Sequence, residues 1–423
     1  MFQPMNAKKG APAATGGAGH IGDLPEGVLH HILSFLPARD AVRTSLLGRR
    51  WRDLWTSAPG LRILLGDDDD GRASVAHYRD FVNHLLLLRG HAALDTCEIS
   101  FGVIQDERDP CLNLWFRHAV RCNARRLRLE SVLHRGLLFV LDDLPLASRH
   151  LARLELVGVR LMYSFCNFSG CPTLQHLEMA RCYLSCAKKI VSESLKCLKI
   201  TRCSFSEWYR MVISVPGLLS LRLDGNLNRA PALGSMPLLQ EAFVRLTHFL
   251  EYADYCSGAD FGECGDVNCI SCYSMEHNFN SCKNSVPLGG LSEAESLALI
   301  AESKTFIYRR VLKQCPTFSN LKTLLLNDYW CVAPDFYELT CILRHSPILE
   351  KLTLQLFSTG RHKQNLRVKG SPNPTRLSAA ISTHLQIVDV KCAAIDGRIL
   401  KILKFLSTLG IGFSLDKMEI LEE

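Results

Sequence analysis

Six side chains in one short stretch are suited to metal chemistry: Cys256, Cys264, Cys269, Cys272, Cys282 and His277. Cys269 and Cys272 form a CxxC, a spacing that lets two thiolates of one turn meet on a single zinc ion. A second pair at matching spacing is missing, and Cys264, Cys282 or His277 would complete four ligands only irregularly. The reading is a loop of free, redox-sensitive thiols, with structural zinc as the alternative and no metal or other cofactor assigned. A second candidate is basic. Residues 361–376 hold Arg361, Lys363, Arg367, Lys369 and Arg376 with no acid. That suits a mobile surface loop or, alternatively, contact with an acidic target or phosphate. Signatures of catalysis are missing: there is no GxSxG, no P-loop, no HExxH and no GxGxxG after a strand. His30 and His31 fit a helix face better than a ligand set. An enzyme is not expected.

A chain of 423 residues, 47% of them apolar, has ample material for burial but exceeds one compact core. The net charge of +7 is modest and does not call for nucleic acid. No apolar run approaches the ~18 residues that cross a bilayer. The first twenty residues lack the apolar centre of a signal peptide and read as a disordered arm, 1–20. Disulfide-dense folds are small and secreted. The eighteen cysteines of this long chain are therefore expected mostly as reduced thiols, in cytoplasm or nucleus.

The elements that must position any function begin at residue 21. Asp23 and Glu26 can cap a first helix, with Pro25 in its first turn and Leu29, Ile32, Leu33 and Leu36 at helical spacing. Pro37 stops it. Asp40 can cap a second helix carrying Val42, Leu46 and Leu47, and a third segment holds Trp51, Leu54 and Trp55 before Pro59. Some forty residues cannot bury this much apolar surface alone. Either a partner completes the module or it packs on its own following domain.

Beyond residue 90 the chain repeats the phrase L-x-x-L-x-L, often with Cys or Asn three residues further on. Clear copies are Leu151-Leu154-Leu156, Leu174-Leu177-Met179-Cys182, Leu195-Leu198-Ile200-Cys203, Leu218-Leu221-Leu223-Asn226, Leu321-Leu324-Leu326 and Leu349-Leu352-Leu354. Weaker copies start at Leu94, Leu127, Leu239 and Leu385. The third apolar residue falls at 129, 156, 179, 200, 223 and 244, steps of 27, 23, 21, 23 and 21. This is the period of leucine-rich repeats, short strands whose open apolar faces are closed by stacking. The non-apolar strand residues Glu155, His176, Glu178, Lys196, Lys199 and Arg222 are the expected target-binding face. Cys182, Cys203 and Asn226 are expected in the bend after each strand. Ser292 and Glu295 form a capping box, which predicts a helix through Leu297, Ile300, Ile307 and Val311 ending before Pro316.

The order L-P-x-x-x-L-x-x-I-L-S-x-L-P (Leu24 to Pro37), then R-R-W-R-x-L-W (Arg49 to Trp55), resembles the F-box. The phrase CILRHSPILEKLTL, Cys341 to Leu354, resembles a repeat of plant F-box/leucine-rich-repeat proteins, and the tail from Thr383 resembles their FBD segment. Gly48 departs from the Ser or Cys usual there. The resemblance implies an α/β fold: a small three-helix F-box, then a curved leucine-rich-repeat solenoid with parallel strands on its concave face and irregular helices on its convex face. The expected divisions are F-box 21–60, linker and first helix 61–90, with Asp67 to Asp70 solvated, and repeats 91–423. The repeats include the Cys-rich insertion 251–290 and the FBD-like tail 383–423. It further implies that Leu24, Pro25, Ile32, Leu36 and Pro37 bind a Skp-type adaptor, which links to cullin and RING subunits. The repeats would hold a protein target for ubiquitination. A ligase-independent binding scaffold is the competing reading, and a small-ligand sensor ranks after it.

Overall fold

The computed structural model describes residues 21, 24–65, 72–102, 110–131, 138–206, 210–226, 230–247, 288–301, 312, 315–357, 365–373 and 375–421. The arm 1–20, Asp23, Asp67 to Asp70, the insertion's cysteines with His277, Ile307, Val311, Arg361 and Lys363 lie outside them.

Pro25 and Pro37 stand immediately before α1 (Glu26–Leu33) and α2 (Ala38–Arg43), where a missing N–H costs nothing. Asp40 does not cap α2. It lies in the first turn and pairs with Arg43 at 3.1 Å, favourable beside the positive end of the helix dipole. The second helix is also shorter than its apolar pattern predicts. Single 3₁₀ turns, Thr44–Leu47 and Arg49–Trp51, follow it, separated by Gly48 at φ 155°. Only glycine adopts that backbone readily, so the departure at Gly48 is a requirement of the break. The short helix α3 (Leu54–Ser57) closes the module.

The array starts earlier than residue 91. The stretch read as linker holds β1 (Gly60–Leu65), and α4 (Arg72–Arg89) follows. Next come β2 (Thr96–Phe101), α5 (Pro110–Arg121), β3 (Arg126–Ser131), β4 (Phe139–Val140), β5 (Arg153–Val157), β6 (Val159–Arg160), β7 (His176–Ala180) and β8 (Lys189–Val191). Then come β9 (Cys197–Thr201), β10 (Val212–Ser214), β11 (Ser220–Asn226), β12 (Ala232–Leu233), β13 (Glu241–Thr247), β14 (Ser296–Ala301) and β15 (Thr323–Asn327). The C-terminal part holds α6 (Tyr337–Arg344), β16 (Lys351–Leu356), β17 (Asn365–Pro372), β18 (Ile387–Cys392), α7 (Gly397–Thr408) and β19 (Ile411–Leu421).

One sheet runs through the chain in the order β1-β2-β3-β5-β7-β9-β11-β13-β14-β15-β16-β18-β17-β19. It is parallel until β17, which pairs antiparallel with both neighbours. The repeat phrase explains the register. Leu129, Leu156, Met179, Ile200, Leu223 and Val244 lie side by side in one row, each no more than 1% exposed. Leu127, Leu154, Leu177, Leu198, Leu221 and Ala242 form the adjacent row. Burying one leucine contributes about 2 kcal/mol, and only stacked neighbours supply the burial. Behind the early and late repeats lie helices. Behind the middle ones lie two small parallel sheets, β4-β6 and β8-β10-β12.

Two sequence expectations are overturned here. Residues 296–301 are a strand, not a helix. Leu297, Leu299 and Ala301 point inward at the two-residue period, and Ala294-Leu297-Leu299 is a further copy of the repeat phrase. Leu297 and Ile300 also satisfy a three-residue helical spacing, which hid the strand. Ser292 Oγ lies 3.3 Å from Glu293 Oε1 and caps nothing. Residues 365–372 of the basic stretch are likewise strand β17, bonded on both edges. In the tail, the Asp396 side chain accepts from the Arg398 and Ile399 N–H groups at 2.9 and 2.8 Å, which starts α7. Among the described residues no helix is long and apolar enough to cross a membrane.

Candidate functional site

The N-terminal module has two apolar faces. The inner one is filled by Leu29, Leu33, Trp51, Leu54 and Trp55, all buried. Trp51 and Trp55 are core side chains of the module, and Trp55 Nε1 donates to the Arg52 carbonyl at 3.1 Å. That face rests on the array. Arg62 of β1 donates to the Phe35 carbonyl at 2.8 Å, and Arg39 lies 4.6 Å over the Tyr78 ring. Gly60 passes so close to Ser34 that an added Cβ would meet its main-chain oxygen at 2.7 Å.

The outer face is open. Leu46 is 86% exposed and Phe35 62%, with Leu47, Val28 and Ile21 also exposed. Of the expected adaptor residues, Pro25 is exposed, while Leu24, Ile32, Leu36 and Pro37 are half-buried. Sequence reasoning missed Phe35 and placed Leu46 and Leu47 on the second helix, whereas they lie in the 3₁₀ turn after it. The usable signal was Gly48, which ends the 3₁₀ turn directly after the Leu46-Leu47 pair.

The second candidate surface is the solvent side of the long sheet. Alternation along each strand aligns Arg62, Glu98, Arg128, Glu155, Glu178, Lys199, Arg222 and Phe243 in one row. Ion pairs lace it: Arg62–Glu98 at 2.8 Å, Arg128–Glu155 at 2.8 Å, Arg153–Glu155 at 2.5 Å and Lys199–Glu178 at 3.7 Å. Asp224, nearly buried, takes Arg222 at 2.7 Å and Arg245 at 2.5 Å. Burial would push the Glu155 carboxyl up, but hydrogen bonds from Arg153 and Arg128 outweigh it and hold it below the usual carboxylate range. Pairs at half-exposed positions contribute about 0.2–1 kcal/mol each, so this ladder sets the charge pattern more than the stability.

The row then changes character. Arg222 stacks 4.0 Å over the Phe243 ring, and Ala298 and Leu325 follow in register, half-exposed. Beyond them Asp389, buried, holds Arg367 at 2.5 Å and Lys351 at 3.8 Å. Arg367 is thus neutralised within the chain. The structure brings Glu155, Glu178, Lys199 and Arg222 together on this row and places exposed His176 beside it on β7. Lys196 is not on it. It precedes β9, and its Nζ donates to the Gly217 carbonyl at 3.2 Å, because it shares the inward parity of Leu198.

The bend cysteines are structural. Arg181 and Arg202 turn at φ 53° and 52°, which swings Cys182 and Cys203 inward, both fully buried. Cys182 Sγ donates to the Leu156 carbonyl at 3.3 Å, and Cys203 Sγ to the Met179 carbonyl at 3.4 Å. Each thiol satisfies a carbonyl of the preceding strand.

The model of the F-box domain matches residues 21–62. The F-box/FBD/LRR-repeat protein At5g22660 of Arabidopsis thaliana is 25% identical over 378 residues, covering 80% of this chain and 77% of the relative. The F-box/LRR-repeat protein At3g26922 of the same plant is 31% identical over 234 residues, 48% of this chain and 74% of that protein. In rice, the MEIOTIC F-BOX protein MOF is 27% identical over 358 residues, 79% of this chain and 70% of the relative.

Proposed function

This chain belongs to the plant F-box/LRR-repeat family, with an FBD-like region, and on that premise we propose that it is the substrate-recognition subunit of an SCF-type cullin–RING ubiquitin ligase. The F-box docks a Skp-type adaptor and, through it, the cullin and RING subunits. The repeats hold a protein target. The chain itself catalyses nothing. It raises the effective concentration of the target at the ubiquitin-transferring subunits.

The observation that carries the reading is the open apolar face of the F-box. Val28, Phe35, Leu46 and Leu47 are exposed within the matched segment of about forty residues, and large apolar side chains left exposed in this number suit a protein contact. Leu24, Pro25, Ile32, Leu36 and Pro37 remain assigned to the adaptor, and Phe35, Leu46 and Leu47 join them. For the target we assign the solvent side of the sheet, with Glu155, His176, Glu178, Lys199 and Arg222. The described cysteines are all free, which suits the reducing cytoplasm or nucleus.

Co-purification with a Skp-type adaptor tests the proposal. Wild-type chain should retain the adaptor, and the Leu24→Ala/Pro25→Ala variant should lose it. No complex with wild-type protein would sink the ligase reading and leave a ligase-independent scaffold.

A further inference from the structure

Cys315, Cys341 and His345 meet in one place although the chain separates them. Cys341 lies on α6 and His345 directly follows that helix. Their spacing of four puts both on one helix face. Cys315 comes from the segment leading into β15. One ligand atom from each lies within 4.8 Å of the other two, and all three residues are half-buried. Nδ1 of His345 is 4.0 Å from the Cys341 sulfur and 2.8 Å from the Cys341 carbonyl oxygen.

Among the described thiols Cys122 also has an imidazole beside it, His118 Nε2 at 3.4 Å, but here two thiols and an imidazole meet. Cys182 and Cys203 are fully buried and donate to main-chain carbonyls, with no imidazole beside them. At Cys315 and Cys341 the sulfur contacts with carbonyls are long, 3.6 Å to Pro316 and 3.7 Å to Leu312. The hydrogen bond from Cys315 pulls the Cys341 thiol down to about 6, with further help from His345. Cys315 is pushed up by the same bond. Both thiols are half-open to water.

We propose that Cys315, Cys341 and His345 form a zinc site, with water in the fourth position. Two sulfurs and an imidazole are a donor set zinc prefers over magnesium or calcium. Bonds of about 2.0–2.3 Å in a tetrahedron place ligand atoms about 3.5–3.8 Å apart. Side-chain rotation about one helical turn and one loop residue closes the difference. On metal capture Cys315 and Cys341 bind as thiolates, any thiol proton passing to solvent, and the imidazole binds through a nitrogen lone pair. The ion ties the entry to β15 to the helix of the next repeat. The proposed donor set uses none of the insertion's cysteines.

The test is metal titration of the full-length chain, stripped with chelator under reducing conditions. Zinc and, as a spectroscopic probe, cobalt(II) are added to wild type, Cys315→Ser, Cys341→Ser, His345→Ala and Cys269→Ser/Cys272→Ser. Stoichiometric binding is expected, with a thiolate-to-cobalt charge-transfer band and tetrahedral d–d bands. Each substitution in the cluster should weaken binding at least tenfold, and the double variant in the insertion should bind as wild type. Loss of metal only in that double variant, retention in Cys315→Ser, or no stoichiometric metal in wild type overturns the proposal. A readout independent of folding in the variants is alkylation of wild-type protein with and without zinc. Zinc should slow labelling of Cys315 and Cys341 at least tenfold, and unchanged labelling overturns the site.

Discussion

Arg89, the last residue of α4, donates its guanidinium to the main-chain carbonyl of Trp55 in the F-box, and its other terminal nitrogen reaches the Ala58 carbonyl at 2.6 Å. The side chain is buried. The F-box is thereby fastened to the first repeat, and its orientation follows that of the array. Replacing Arg89 by Met keeps an unbranched apolar stem and removes both donors. An unpaired buried carbonyl costs about 1–3 kcal/mol, so the Arg89→Met chain, with two left unpaired, should lose about 2–6 kcal/mol in urea denaturation. Amide exchange in residues 54–58 should quicken with it. Unchanged protection there would refute the coupling.

The open face of the F-box can be probed without harming the fold. Phe35→Glu and Leu46→Glu alter exposed side chains, where substitutions shift stability by less than about 0.5 kcal/mol. Thermal melts should match wild type. Affinity for the Skp-type adaptor should fall at least tenfold in calorimetry. Undiminished affinity in both variants would move the contact to the half-buried residues Leu24, Ile32 and Leu36.

Glu155 predicts an acid limb. Its carboxyl lies below the usual range in the folded chain because Arg153 and Arg128 outweigh the effect of burial. A depressed carboxylate contributes stability above its unfolded pKa of about 4.3, and that contribution is lost as pH falls through the folded value. Glu155→Gln should cost about 0.5–1 kcal/mol at pH 7, with the difference from wild type vanishing in the acid range. Denaturation curves at several pH values measure it, and a constant difference would contradict the assignment.

Burial pushes the thiols of Cys97, Cys166 and Cys331 up to about 12. They should resist iodoacetamide in native protein at pH 8 and label fully in urea, as mass spectrometry of digests can show. Native labelling of any of the three would mean that its repeat opens.

Much of the array was legible because the signal repeats. Each L-x-x-L-x-L phrase places apolar residues at the strand period, and six of the spaced residues, Leu129 to Val244, lie in one row. The failures share one cause: a spacing that fits two periods. Leu297 and Ile300 fit a helix, yet strands flank the segment on each side, with Leu297 between Ala242 and Leu324 and Leu299 between Val244 and Leu326. Leu46 and Leu47 fit α2, yet Gly48 breaks the backbone between them and Trp51.

By itself the sequence determined the repeat period, the inward rows of the sheet and the presence of an F-box, since these depend on spacing along a short segment. Only the tertiary structure decided which F-box residues face outward. It alone paired Arg367 with Asp389, joined Arg89 to Trp55, and brought Cys315 beside Cys341 and His345. Those contacts link residues far apart in the chain, and no local periodicity encodes which distant partner a polar or sulfur side chain will meet.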